Sequence, residues 1–420
     1  MFSKKASILF CAFIFGAAFF VQAQIKPAFF KDALAENRNK FYNKIKTSID
    51  KTLRLPLDST TEENWSNVFY HIGLIQYKTT AVSAAIDNVA KKINNSSNDG
   101  KKAFLNLIYS DYPKKYVAQV KTIFLTATDD YKLMAMAANY LLPTATAADV
   151  KTMLAQTQTE LKKDPDNAIL FELSNQLNNW NKKTTTPSIK TFFDKNYLPD
   201  QMLVFSFQRK DRNYPGIAMV RHTDGSFVKN ADGKYFAVGQ LARSVSNMPG
   251  YISNGNTPQG IFRITGFDTS SNYFIGPTTN IQLAMPHEYD GIIIDEKKID
   301  TTWSLQDYQN LLPDNFKNYQ PMYGTFYAGK AGRTEIIAHG TTVDINYYKK
   351  NTYFPYTPTA GCLCTKEIWN NKTGLLHTSD QLLLANAIQN TGATKGYLIV
   401  VEIDDKKSAV SLADILLYLK

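Results

Sequence analysis

The stretch Thr359-Ala360-Gly361-Cys362-Leu363-Cys364 decides how the C-terminal half of this sequence is interpreted. It holds two of the chain's three cysteines, and the third, Cys11, lies in an apolar N-terminal run. In an oxidising compartment, cysteines without a task are normally paired or eliminated. A disulfide between cysteines one residue apart would be strained, and two cysteines without a second pair make a poor zinc site. The pattern therefore favours Cys362 as a nucleophile, with a small buried hydrophobe as the alternative.

A histidine lies 23 positions before Cys362, in Ile337-Ala338-His339-Gly340-Thr341. A free thiol with a pKa of about 8.5 is only a few per cent thiolate at neutral pH, so a nucleophilic cysteine needs a partner that takes its proton. We expect His339 to end a buried strand and to act as this base, with Gly340 leaving its carbonyl free to orient the imidazole. A core histidine with satisfied hydrogen bonds is the alternative.

A third stretch, Thr257-Pro258-Gln259-Gly260-Ile261-Phe262, follows a glycine-rich segment. In order and spacing, the three stretches resemble the L,D-transpeptidase catalytic domain, in which a Thr-Pro-x-Gly strand, a His-Gly turn and a Ser/Thr-His-Gly-Cys segment follow one another. The resemblance covers roughly residues 250–403 and extends more loosely back to Leu198.

The resemblance implies acyl transfer on peptidoglycan stem peptides, with no metal and no cofactor. Cys362 would attack the carbonyl of the third stem residue, expel the terminal D-alanine and form a thioester. An amine of another stem would resolve the thioester into a 3-3 cross-link, or water would resolve it as in an L,D-carboxypeptidase. Ala360 and Cys364 depart from the family pattern, which usually has a second histidine at the first position and an arginine or asparagine at the second. The acceptor and the choice between transfer and hydrolysis therefore stay open.

The catalytic candidates are Cys362, His339 and Gly340. Weaker candidates for the substrate or oxyanion site come from the same stretches and from two other segments: Gly361, Leu363, Cys364, Thr341, Thr359, Tyr323 and His287, with Arg243 as a further polar residue. Gly361 would let a substrate backbone approach, and the amides near Cys362 could hold a developing oxyanion. Arg243, Tyr323, Thr341, Thr359 and His287 are equally compatible with ordinary loop residues. Cys364 is a minor alternative as the nucleophile.

The N-terminal 23 residues have the pattern of a secretory signal peptide. Lys4 and Lys5 precede the apolar run 6–21, and Val21-Gln22-Ala23 suits a signal peptidase. We expect export to the periplasm or cell envelope, with an uncleaved anchor as the alternative. Cleavage would lower the net charge from +10 to +8. The lysines are spread out rather than gathered in a stripe, so we predict no nucleic-acid partner.

At 420 residues with 44% hydrophobic residues, the chain suits two domains. Residues 24–185 read as an all-α helical array. Trp65, Val68, Phe69 and Ile72 share one helix face, and Thr60 with Glu63 suggests a capping box. We expect further helices over 80–93, 101–109, 113–125, 130–142, 147–161 and 167–177.

A polar segment, 181–188, marks the boundary, and residues 186–420 read as a β-rich domain. Its expected strands cover 202–208, 216–221, 262–265, 291–294, 334–338 and 396–403. The predicted fold class is therefore α+β multidomain, a helical array followed by an L,D-transpeptidase-like domain.

Two other readings remain open. The chain could be a wall-binding or scaffolding protein that kept the fold without the catalysis, or a thiol hydrolase of another peptide or amide. The helical domain would position the catalytic domain or bind an envelope protein.

Overall fold

A computed structural model describes residues 28–288 and 303–419. The predicted signal peptide and the expected strand 291–294 lie outside these residues. No helix within them is long and apolar enough to cross a membrane.

The N-terminal half is a helical array, as predicted. Its helices are α1 Ala35–Thr52, α2 Glu62–Ile75, α3 Thr80–Ala90, α4 Asn98–Asp111, α5 Val117–Thr126, α6 Tyr131–Leu141, α7 Ala147–Lys163 and α8 Ala168–Asn178. The predicted face of α2 is buried, because Trp65, Val68, Phe69 and Ile72 are at most 2% exposed. Their spacing of three and four residues places them on one side of the helix, against the core of the array.

The predicted capping box of α2 is wrong. Thr61 is the N-cap and makes no side-chain capping bond. The Thr60 hydroxyl instead donates to Asp58 Oδ1 at 2.7 Å, a local bond that competes with capping. A capping box does form at α7, between Thr146 and Asp149.

The C-terminal half is built on a closed eight-stranded barrel. Its strands are β1 Met202–Arg209, β2 Gly216–Arg221, β3 Val238–Leu241, β4 Gly260–Asp268, β5 Asn280–Ala284, β6 Ile337–His339, β7 Leu363–Thr365 and, after the short pair described next, β10 Gly396–Asp404. Their order around the barrel is β1-β10-β4-β5-β6-β7-β3-β2. The pairs β1–β10 and β6–β7 are parallel, and the other pairs are antiparallel.

Smaller elements complete this half. A two-stranded sheet pairs β8 Glu367–Trp369 with β9 Leu376–Ser379. The helices are α9 Leu305–Asn310, α10 Gly324–Lys330, α11 Asp380–Gln389 and α12 Leu412–Leu416. The expected strand 334–338 is shorter than predicted, because Glu335 has a left-handed backbone with φ 60° that ends the extended conformation.

Strands β1 and β10 are buried on both faces. Along β1, Val204 belongs to one hydrophobic cluster, whereas Phe205 and Phe207 belong to another that contains aromatic residues of α9 and α10. Double coverage explains why all eight residues of β1 are buried, including the polar Ser206, Gln208 and Arg209.

One loop of the C-terminal half is part of the core of the helical array. Met248, Tyr251 and Ile252 are at most 7% exposed and pack in the helical cluster. Asn139 of α6 donates to the Tyr251 hydroxyl at 2.8 Å, and that hydroxyl donates to Gln176 of α8 at 3.0 Å. This segment, residues 247–256, is called the docking loop below.

Candidate active site around Cys362

The three sequence stretches meet in the fold. Ala338 pairs with Leu363 and His339 with Cys364, so the histidine and cysteine stretches form neighbouring parallel strands, β6 and β7. From the third stretch, the Thr257 hydroxyl donates to the Gly361 carbonyl at 2.8 Å. The chain therefore brings together all three segments that the sequence singled out.

Cys362 is a free, partly exposed thiol immediately before β7. Its sulfur lies 3.6 Å from the Glu335 carbonyl oxygen. The Thr359 hydroxyl fixes the backbone on both sides, because it accepts from the Gly361 N–H and donates to the Cys362 carbonyl, each at 2.9 Å. Gly361 has φ 123°, a conformation that residues with a side chain rarely adopt.

His339 is 4% exposed, and burial lowers its pKa to about 4. Its ring is therefore neutral near pH 7. Nδ1 contacts the Gly340 carbonyl, which assigns the proton to Nδ1 and leaves Nε2 with a free lone pair. Within the described residues, the ring makes no hydrogen bond to Cys362 or Cys364. His339 pairs with Cys364 in the parallel ladder, and Cys362 precedes Cys364 by two residues, so His339 and Cys362 lie on neighbouring segments of the site.

An arginine that the sequence interpretation missed lies beside the cysteine. Arg333 is 4% exposed, and its guanidinium packs so closely on Gly361 that a Cβ there would come within 1.9 Å of Nη2. It donates to the docking-loop carbonyls of Gly255, at 2.6 Å, of Asn256, at 2.7 Å, and of Gly250. Arg333 makes no ion pair with a carboxylate of the described residues, so its charge is free to act on Cys362.

Opposing effects act on the Cys362 thiol. Burial is the largest, and it raises the pKa of the thiol above its ordinary value. A hydrogen bond from the Ile337 N–H and the charge of Arg333 lower the pKa, while the carboxylates of Glu335 and Glu288 raise it. Cys362 is therefore a neutral thiol in this resting arrangement, with one donor and one cation placed to stabilise the thiolate once it forms.

Cys364 has a different environment. It is fully buried, and burial raises its thiol pKa to about 12. Its sulfur lies 3.5 Å from the Thr357 hydroxyl. Leu363 is also fully buried, with its side chain in the barrel core. Cys362 is therefore partly exposed, whereas Leu363 and Cys364 are fully buried.

Gly340 and Thr341 contact a buried carboxyl group that the sequence interpretation also missed. Glu367 is 2% exposed, and burial raises its pKa to about 7. It accepts from the Thr341 N–H at 2.9 Å and from the Ser379 hydroxyl at 2.5 Å. A Cβ at Gly340 would lie 2.1 Å from the Glu367 carboxyl carbon, so only glycine fits there. This contact fixes the turn after His339.

The other candidates, Tyr323, His287 and Arg243, make their contacts elsewhere, and within the described residues none makes a hydrogen bond with Cys362. Tyr323 donates to the Lys317 carbonyl, and the His287 ring packs edge-on against Phe326 with ring centroids 4.8 Å apart. Arg243 joins the two halves, because its guanidinium donates to the Ser110 hydroxyl of α4 at 2.7 Å.

The part of the chain that the structure describes contains no group of three or more His, Cys, Asp or Glu side chains suited to a metal ion. Comparisons with protein-family models, curated proteins and solved structures give no significant match to this chain.

Proposed function

We propose that this chain is an exported cysteine acyltransferase of the L,D-transpeptidase type that acts on peptidoglycan stem peptides in the cell envelope. The observation that carries the proposal is the meeting of the three stretches around one accessible sulfur: Thr257 bonds Gly361, and β6 with His339 pairs with β7 behind Cys362. Geometry supplies a nucleophile, a neutral imidazole and a cation within one strand pair and its flanking loops.

The first step forms a thioester. His339 Nε2 takes the thiol proton when the ring and the sulfur approach each other, and the sulfur attacks the carbonyl carbon of the third stem residue. The bond from that carbon to the terminal D-alanine nitrogen breaks, and the imidazolium returns the proton to the leaving amine. Arg333 and the Ile337 N–H stabilise the negative charge on sulfur before attack.

The second step releases the acyl group. A stem amine attacks the thioester, the carbon–sulfur bond breaks and a cross-link forms, or water attacks and gives the shortened stem. Cys362 regains its proton in either case.

A second candidate function is passive binding or scaffolding in the cell wall. The raised thiol pKa and the missing hydrogen bond between sulfur and imidazole favour it.

Mass spectrometry of the intact protein distinguishes the acyltransferase from the scaffolding function. The chain is incubated with tetrapeptide-stem muropeptides and examined for an acyl adduct on Cys362 and for tripeptide or cross-linked products. We expect an adduct and product with the wild type, neither with Cys362→Ala, and both with Cys364→Ser, because Cys364 is the matched buried cysteine. His339→Ala should slow adduct formation at least tenfold. If the muropeptides are unchanged and the wild-type chain carries no adduct, the enzyme proposal fails and the binding or scaffolding function is favoured.

A further inference from the structure

A large groove runs between the two halves of the chain. It has a volume of about 750 Å³, with one wall formed by α4 and α8 and the other by the docking loop, residues 257–259 before β4 and residues 318–324. Its volume is within the ~300–1,000 Å³ that small-molecule sites occupy, and such sites favour domain interfaces. The groove is called the interdomain groove below.

Side-chain amides dominate its polar lining. Eight of the 23 lining residues are asparagines or glutamines, and three are tyrosines. An amide group offers two donor hydrogens and an acceptor oxygen, so a row of amides matches a ligand whose groups alternate between donors and acceptors. Tyrosine adds a flat apolar face with a polar end. Hydroxyl and acetamido groups on sugar rings have this combination.

The charges in the groove largely cancel. Arg212 pairs with Glu402 at 2.9 Å, and Asp211 pairs with Lys407 at 2.6 Å. Glu172 lies on α8, and burial raises the pKa of its carboxyl group to about 7, so the carboxyl is partly protonated near that pH. Lys210 also lines the groove and donates to the Thr184 carbonyl rather than to a carboxylate of the described residues, so the groove offers a polyanion one unpaired cation, which favours a neutral ligand.

Three buried donors that line the groove have no hydrogen-bond partner in the described chain: Arg212 Nη1, Asn175 Nδ2 and Gln259 Nε2. The Arg212 side chain is 4% exposed, and two of its nitrogens bond Glu402, whereas Nη1 has no hydrogen-bond partner in the described chain. A buried donor without a partner costs free energy that a carbonyl oxygen of a ligand can offset after a small adjustment of the wall.

The groove is connected to the candidate active site through the docking loop. Gly250 and Asn256 line the groove, and the carbonyls of both accept hydrogen bonds from Arg333. Thr257 also lines the groove, and its hydroxyl bonds the residue before Cys362.

We propose that the interdomain groove binds a neutral oligosaccharide that carries acetamido groups. The choice of an N-acetylated glycan rests on the proposed function, because the same polymer would carry the stem peptide that Cys362 attacks. The helical array then contributes half of a glycan site, and the catalytic half contributes the other.

Isothermal titration with the full chain and chitotetraose tests the proposal. Asn179 and Asn318 are exposed amides on opposite walls, and the double variant Asn179→Ala/Asn318→Ala removes both. Asn178→Ala is the matched control, because Asn178 is exposed next to Asn179 but outside the groove. We expect the double variant to weaken binding at least tenfold and the control to bind like the wild type. Cellotetraose, which lacks acetamido groups, should also bind at least tenfold more weakly.

Three outcomes overturn the proposal: no chitotetraose binding by the wild type at millimolar concentration, equal binding by the double variant with an unchanged melting temperature, or tighter binding of a sulfated tetrasaccharide. The Cys362→Ala variant separates this proposal from the proposed function. This variant should bind chitotetraose like the wild type. If the wild type binds the glycan but is not acylated, the proposed enzyme is refuted and the glycan site stands. If the wild type is acylated but does not bind the glycan, the glycan site is refuted and the enzyme stands.

Discussion

Replacing the buried Glu367 by glutamine should remove a large part of the pH dependence of stability. The Glu367 carboxyl is 2% exposed, and the Thr341 N–H and the Ser379 hydroxyl donate to it. Asp380 is the acidic neighbour that adds to the effect of burial, and no cation offsets them in the pKa of Glu367. Glutamine has the same shape and cannot ionise, so it isolates the charge.

The magnitude follows from the shift of the carboxyl pKa from 4.5 to about 7. Below pH 4.5 the folded and unfolded chains both hold the proton. Between these two values the folded chain keeps a proton that the unfolded chain has lost, so the free energy of unfolding falls as the pH rises. Above about pH 7 both are ionised and the loss is complete. At 1.36 kcal/mol per pKa unit, the loss is about 3 kcal/mol.

Urea unfolding of the wild type and Glu367→Gln at pH values from 4.5 to 8 measures this loss. The free energy of unfolding of the wild type should fall by about 3 kcal/mol relative to the variant over that range. Other titrating groups, such as Glu172, act equally in both proteins and cancel in the difference. Two curves that stay parallel within about 0.5 kcal/mol would refute the reasoning, because they would mean that Glu367 ionises alike in the folded and unfolded chains.

Three further predictions concern the cysteine and its surroundings. Because burial raises the pKa of the Cys362 thiol, its alkylation by iodoacetamide should be slow at pH 7 and still rising above about pH 9; a plateau below pH 8 would contradict this. Arg333→Met should move the pH profile of alkylation to higher pH. The control Arg221→Met removes another buried arginine bonded to three carbonyls and should leave the profile in place. Equal profiles for the two variants would exclude an effect of the Arg333 charge. Gly361→Ala should lower the free energy of unfolding by at least about 2 kcal/mol, because Gly361 has φ 123° and Arg333 fills the space beside it. Gly392→Ala, at a positive φ but in open space, should lower it by about 1 kcal/mol. Calorimetry that ranks the two variants the other way would refute this.

The helices of the array and the four longest strands, β1, β2, β4 and β10, could be predicted because their signals are local. The buried face of α2 follows from the spacing of its apolar residues, and the strand at 216–221 has the predicted bounds. The short β6 was overestimated because Ile336 and Ile337 form an apolar run, while the left-handed Glu335 before them gives no signal in the sequence. A non-glycine residue in this conformation depends on contacts made elsewhere in the chain.

The charged members of the site could not be predicted, because their burial is a tertiary effect. Arg333 follows a glycine after α10 and reads as a solvated residue, and only the three docking-loop carbonyls keep it inside. Glu367 directly follows Lys366, so in the sequence it looks like an ordinary solvent-exposed charged residue. Cys362 and His339 could be selected because their residue types are rare in the chain and carry chemistry, but the register that places His339 opposite Cys364 appears only when the strands pair.

The docking loop also determines how the chain can be divided. Met248, Tyr251 and Ile252 fill the interior of the helical array although they belong, by sequence, to the other half. Cutting the chain near residue 185 would leave a cavity in the core of the helical fragment and would expose these three apolar side chains on the other fragment. It would also free the docking-loop carbonyls that accept hydrogen bonds from Arg333. The two halves therefore share a hydrophobic core, and the surroundings of the Cys362 sulfur depend in part on a loop that packs in the helical array.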